Sequence, residues 1–138
     1  TNTNDATFSI YQEKELVAQF FNMEKFDSTS FPTPGDQEMQ FGFGKIEAKK
    51  ELDLHIHKSV SRQLNNTSEF LYVISGRMDI DIYGQDEIFI TTITLHDNQA
   101  LLQYKGGHKI TISKNTKYFE IKQGPYLGQN IDKYYLES

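Results

Sequence analysis

The chain has no cysteine among its 138 residues. That absence removes disulfide frameworks and thiolate metal sites together, so any bound ion must be held by nitrogen and oxygen donors. Positive charge is scarce as well: 14 Lys and Arg against 19 Asp and Glu leave a formal charge of -5. Nucleic-acid binding rests on clustered Lys and Arg facing phosphates. The basic clusters here, Lys49-Lys50 and Lys105 to Lys109, are short and interrupted, so no nucleic-acid partner is expected. There is no apolar run long enough to span a bilayer and no charged-then-apolar leader, which leaves no expected membrane partner and makes the cytoplasm the simplest location. No internal repeat is visible.

Hydrophobic residues at 37% and aromatics at 13% suffice for one core and hardly for two. A single domain over residues 1–138 is therefore expected. Residues 1–40 read as an irregular N-terminal extension, frayed at Thr1 to Asp5, that packs on the domain or on a partner subunit. Within it, Glu13 to Phe21 fits a helix or an edge strand equally well, and Ser28 to Gly35, with Pro32 and Pro34, is a loop.

From Phe41 onward, period-two alternation dominates. Phe41, Phe43 and Lys45 alternate with glycines, and Leu52, Leu54 and Ile56 alternate with Asp53, His55 and His57. Phe70 to Ile74 is continuously apolar, the mark of a strand covered on both faces. Met78, Ile80 and Ile82 alternate with Asp79 and Asp81, as in a strand wet on one side. Tyr83 to Glu87 reads as a loop with Gly84 free to take positive φ, and Asn98 can supply a left-handed turn before the next strand. Further strands are expected at Ile88 to Thr94, Ala100 to Tyr104, His108 to Ile112 and Tyr118 to Lys122. Many short strands with a turn every ten residues or so point to an all-β antiparallel sandwich or barrel.

Chemistry concentrates in four residues. On a strand, His55 and His57 would project to the same face, and Glu69 and the Gly106-Gly107-His108 turn follow at a distance. Three imidazoles and one carboxylate form a donor set suited to a divalent transition metal, Mn, Fe, Co, Ni or Zn, with positions left open for substrate. The competing reading is two solvent-facing or hydrogen-bonded histidines, a salt-bridged Glu69 and an ordinary hairpin turn. Arg62 could hold a carboxylate or phosphate bidentately, and Tyr104 is a second candidate contact to substrate or a general base. No catalytic residue can be named from the sequence.

These residues resemble the cupins, small jelly-roll β-barrels whose first motif runs from His-x-His to a Glu and then a Gly, and whose second ends in a His. Six residues separate Glu69 from Gly76, and Gly106-Gly107-His108 is similar to the end of the second motif. Glu120-Ile121-Lys122-Gln123-Gly124-Pro125-Tyr126 with Asp132-Lys133 is similar to the tail of a group of single-domain bacterial cupins. The resemblance runs from about Phe41 to the end. It places the metal ligands on His55, His57, Glu69 and His108, and it implies Lewis-acid chemistry on a small oxygenated substrate, a sugar or a keto or hydroxy acid. It also leaves open a non-catalytic ligand-binding protein or a metal-free sugar-nucleotide isomerase. The eleven residues between His57 and Glu69 exceed the family's spacing, and an inserted loop would absorb the difference. Asn98-Gln99 stands where the family commonly has Gly-Asp. A homodimer built on packed or exchanged edge strands is expected, since it would protect sheet edges.

Overall fold

The structure is a computed structural model and describes residues 5–137; the expectation for residues 1–4 lies outside them. Eight antiparallel strands form two sheets. They are β1 (Thr7–Gln12), β2 (Glu15–Asn22), β3 (Glu69–Ser75), β4 (Met78–Tyr83), β5 (Phe89–Leu95), β6 (Gln99–Gln103), β7 (Gly107–Ile112) and β8 (Lys117–Lys122). One sheet runs β1-β2-β6-β3-β8 and the other β5-β4-β7. The short helix α1 (Gln129–Asp132) follows β8. Among the described residues no helix is long and apolar enough to cross a membrane.

The alternation of β4 sets the layering. Met78, Ile80 and Ile82 are buried and pack with Leu71, Val73, Leu101, Ala18 and Phe20 from the other sheet, while Asp79 and Asp81 point outward and accept hydrogen bonds from Thr94 and Thr92. Residues directly opposite one another in a ladder share a face. Leu71 opposite Leu101 therefore belongs to the inner layer, and Phe70 opposite Leu102 to the outer one.

That outer layer is where residues 23–43 go. Met23, Phe26, Met39 and Phe41 cover Phe21, Phe70, Leu102 and Tyr104. The Phe41 ring stacks on Phe21 at 4.3 Å and on Phe70 at 5.6 Å. The continuous apolar run of β3 is explained by this double cover: Leu71 and Val73 face the other sheet, Phe70 and Tyr72 face the wrapping segment. Within that run, Ile74 alone stays exposed.

Four sequence expectations need correction. The N-terminal region is not irregular throughout, because β1 and β2 form a hairpin and β2 pairs with β6 inside the sheet, whereas residues 26–40 stay outside the ladders except for a bridge at Ser30. Phe41 to Lys45 is no strand but a covering segment joined by a single bridge, Ser30 to Phe43. Leu52 to His57 is not a strand either; every residue from 44 to 65 is exposed and outside any ladder, and Leu54 is 97% exposed. Alternation predicts a strand only where a partner edge accepts it, and this stretch has found none. In the loop after β4, the positive φ falls on Glu87 rather than Gly84. Gly84 is small for another reason: a Cβ there would collide with the side chain of Gln12. Asn98 does adopt φ 62°, supported by hydrogen bonds to Tyr72 and Glu24.

Candidate functional site

Glu69 begins β3 and lies between Gln103 of β6 and Lys122 of β8 in the ladder. Its side chain takes the same face as Leu71, the inner one, at the end of the sandwich where the apolar packing stops. Glu120 is directly opposite Leu71 and joins that face. His108 comes from the facing sheet: it pairs with Ile82, whose side chain is in the core. Two strands remote in sequence and in different sheets thus aim at one point, and His108 Nε2 lies 3.7 Å from Glu69 Oε1.

The turn before His108 depends on glycine. Gly106 has φ +82°, and a Cβ there would run into the backbone carbonyl of Tyr83. This close approach delivers Gly107 opposite Tyr83 and starts β7. Gly107 itself has open space around its Cβ position.

Gln103 fixes the imidazole. Its Nε2 donates to the carbonyls of Lys105 at 3.0 Å and Gly107 at 2.9 Å, so its Oε1 is left to face His108 Nδ1 at 2.8 Å. An amide oxygen can only accept. Nδ1 must therefore carry the proton, and Nε2 presents its lone pair toward Glu69.

Despite its distance, the Glu69–His108 contact is not an ion pair. Burial, then the nearby Glu120 charge and a hydrogen bond with it, push the Glu69 carboxyl from 4.5 up to about 7, against weaker opposing pulls from Lys122 and Lys133. Burial also holds His108 below its ordinary value, although Glu120 pulls the other way. Both partners resist charging. The result is a half-buried Glu69 carboxyl beside a neutral imidazole, with the exposed Glu120 next to them.

The remaining expected site residues lie elsewhere. His55 and His57 sit on the exposed 44–65 segment, their rings 5.2 Å apart and edge to face. His55 Nδ1 lies 2.9 Å from the carbonyl of Asp53, an arrangement that likewise leaves Nε2 free. Arg62 is exposed on the same segment. Tyr104 is 1% exposed; its hydroxyl donates to Gln19 and its ring belongs to the outer apolar layer, so its hydroxyl serves the fold. Among the described residues, no three His, Asp or Glu side chains are gathered as a metal ion would need. The structure thus joins two of the four expected ligands and keeps the other two beside each other. Gln103 and Glu120 were missed by the sequence reading. Gln103 had one visible signal, an amide closing the apolar run Ala100 to Leu102 five residues before His108.

Two hollows accompany these groups. An open groove of about 790 Å³ between residues 29–31 and 44–52 includes neither Glu69 nor His108. A smaller one of about 270 Å³ is walled by residues 64–67 and by 123–132. Gln123 N donates to the carbonyl of Ser68 at 2.9 Å, which puts that second hollow at the end of β3 and β8 from which Glu69 starts, although Glu69 does not line it. Comparison with protein-family models, with curated proteins and with solved structures finds no match.

Proposed function

We propose that this protein is a cupin-like protein acting on a small oxygenated molecule, and that Glu69 and His108 are two ligands of a divalent transition-metal centre that His55 and His57 complete. The observation that supports this best is the orientation of His108. A histidine whose Nδ1–H is held by a neighbouring oxygen offers Nε2 to a cation, and such outer partners are a regular feature of metal-binding histidines. The donor types agree: a carboxyl oxygen of Glu69 and the Nε2 of His108 lie 3.7 Å apart, one oxygen and one nitrogen donor of the kind such ions take.

As they stand, Glu69 and His108 alone are too few donors for a transition ion. Completion would require the 44–65 segment to bring His55 and His57 to them, and that segment is not held in any ladder. A bound ion would act as a Lewis acid toward an oxygenated substrate. The protein's own groups have separable tasks. Gln103 sets the tautomer of His108, and burial followed by Glu120 raises the proton affinity of Glu69, whose carboxyl would release that proton on binding an ion.

Metal analysis of the purified protein and of His108→Ala and His55→Ala tests the proposal. Stoichiometric Mn, Fe, Co, Ni or Zn in the parent and its loss from both variants is expected; an unchanged content in both variants would refute the ligand set. A second reading, metal-free proton transfer, is favoured by one observation: a carboxyl poised near neutral pH beside a neutral imidazole is equipped as an acid–base pair. Turnover that survives a chelator would favour it.

A further inference from the structure

We propose that the 270 Å³ hollow beyond Glu69 recognises an uncharged polyhydroxylated molecule, a monosaccharide or sugar alcohol. This rests on the reading above that small-molecule chemistry takes place at the Glu69 end of the sandwich, and it narrows the substrate class. The size is that of a small ligand, just under the usual range of about 300–1,000 Å³ for binding pockets.

The walls are preorganised. The Glu38 carboxylate accepts from the backbone N–H of Asn65 at 2.6 Å and of Asn66 at 3.0 Å, and the Gln123 to Ser68 bond ties the opposite wall to the start of β3. The polar lining consists of Asn65, Asn66, Thr67, Gln123 and Asp132. Amides and a hydroxyl both donate and accept, and a carboxylate accepts only. A ring of hydroxyl groups, each a donor and an acceptor, matches that mixture. Leu64 and Leu127 add an apolar surface suited to the C–H face of a sugar ring.

The charge distribution decides against an acid. No Lys, Arg or His lines the hollow, and Asp132 does, so a carboxylate or phosphate entering it would lose hydration without gaining a counter-charge. Lys122 and Lys133, next in sequence to the lining residues Gln123 and Asp132, have their Nζ atoms 5.6 Å from the centre of the Tyr126 ring and 5.8 Å from that of Tyr135. Arg62 is not among the lining residues.

The test is NMR titration of the full chain with D-glucose, D-galactose and D-mannitol against lactate, pyruvate and inorganic phosphate. At least one neutral ligand should shift the amide signals of Asn66, Thr67 and Gln123. Gln123→Ala and Asp132→Ala should each weaken it about 2- to 12-fold, the effect of one hydrogen bond, with signal dispersion showing that each variant is folded. Tighter binding of the anions, shifts confined to other residues, or no binding by any neutral ligand overturns the proposal. Metal content is followed in the same samples. Loss of the ion in His108→Ala with sugar binding retained supports both readings, whereas absence of any ion in the parent, with sugar binding intact, defeats only the metal centre.

Discussion

Replacing Glu69 with glutamine should change how the stability of the metal-free protein depends on pH. The carboxyl has its ordinary value of 4.5 in the unfolded chain and about 7 in the folded one. A raised folded value means that the native state binds the proton more tightly. Its stabilising contribution is therefore complete below 4.5, declines as pH rises between the two values, and is gone above about 7. Each pH unit of separation corresponds to about 1.4 kcal/mol, so the whole interval amounts to up to about 3 kcal/mol. The side chain is 18% exposed, so solvent screening removes little of this. An amide in place of the carboxyl cannot ionise, and the variant should lack that slope. Urea denaturation in chelator-containing buffer should show parent and variant nearly equal at about pH 4 and the variant more stable by about 2–3 kcal/mol at about pH 8. Adding the cognate divalent ion at the higher pH should reverse the order, because a ligand that binds only the folded parent stabilises it. Stability curves that stay parallel across the pH range would refute the argument that burial and Glu120 keep Glu69 protonated.

Three further outcomes follow from the packing and the hydrogen bonds. Tyr104→Phe removes the hydroxyl that donates to Gln19 and leaves a buried acceptor unsatisfied, which should cost about 1–3 kcal/mol in chemical denaturation. Leu101→Ala opens a cavity between the sheets where Leu101 is fully buried and should cost about 2–5 kcal/mol. Gln103→Leu removes the acceptor facing His108 Nδ1; ring nitrogen NMR assigned to His108 should show its Nδ1 protonated in the parent and a mixture of tautomers in the variant.

The strands that were legible in the sequence are those whose residues name their own surroundings. Met78, Ile80 and Ile82 against Asp79 and Asp81 could only be a strand with one wet face, and the run Phe70 to Ile74 called for cover on both sides, which the structure supplies up to Val73 and not at Ile74. Asn98 announced its left-handed turn. β1 was missed because its alternation, Phe8-Ser9-Ile10, is only three residues long before the polar Gln12-Glu13-Lys14, and β2 could not be told from a helix because its buried residues, Leu16 to Phe21, face both layers and so have no period. The 41–45 and 52–57 alternations misled for the opposite reason: the pattern is genuine, but the structure supplies no ladder for it. The candidate site divides along the same line. Glu69 and His108 converge because β3 and β7 are locked in their sheets, whereas His55 and His57 depend on a segment that no sheet holds. Gln103 and Glu120 act through their positions across the ladder, and single-sequence spacing carries no such pairing.

The exposed stretch 44–65 also makes this a molecule of two interlocked parts. One part, up to residue 43, contributes the β1–β2 hairpin and the aromatic cover; the other, from residue 66 onward, contributes six strands and both Glu69 and His108. Because β2 is zipped to β6, a single cut by a protease in the connecting stretch would sever the polymer without separating the halves. The nicked species should migrate as an intact particle in gel filtration and as two fragments after denaturation. Co-expressed as separate chains, the halves would offer a reconstitution system in which the His55-His57 stretch could be attached to either one, or left out altogether.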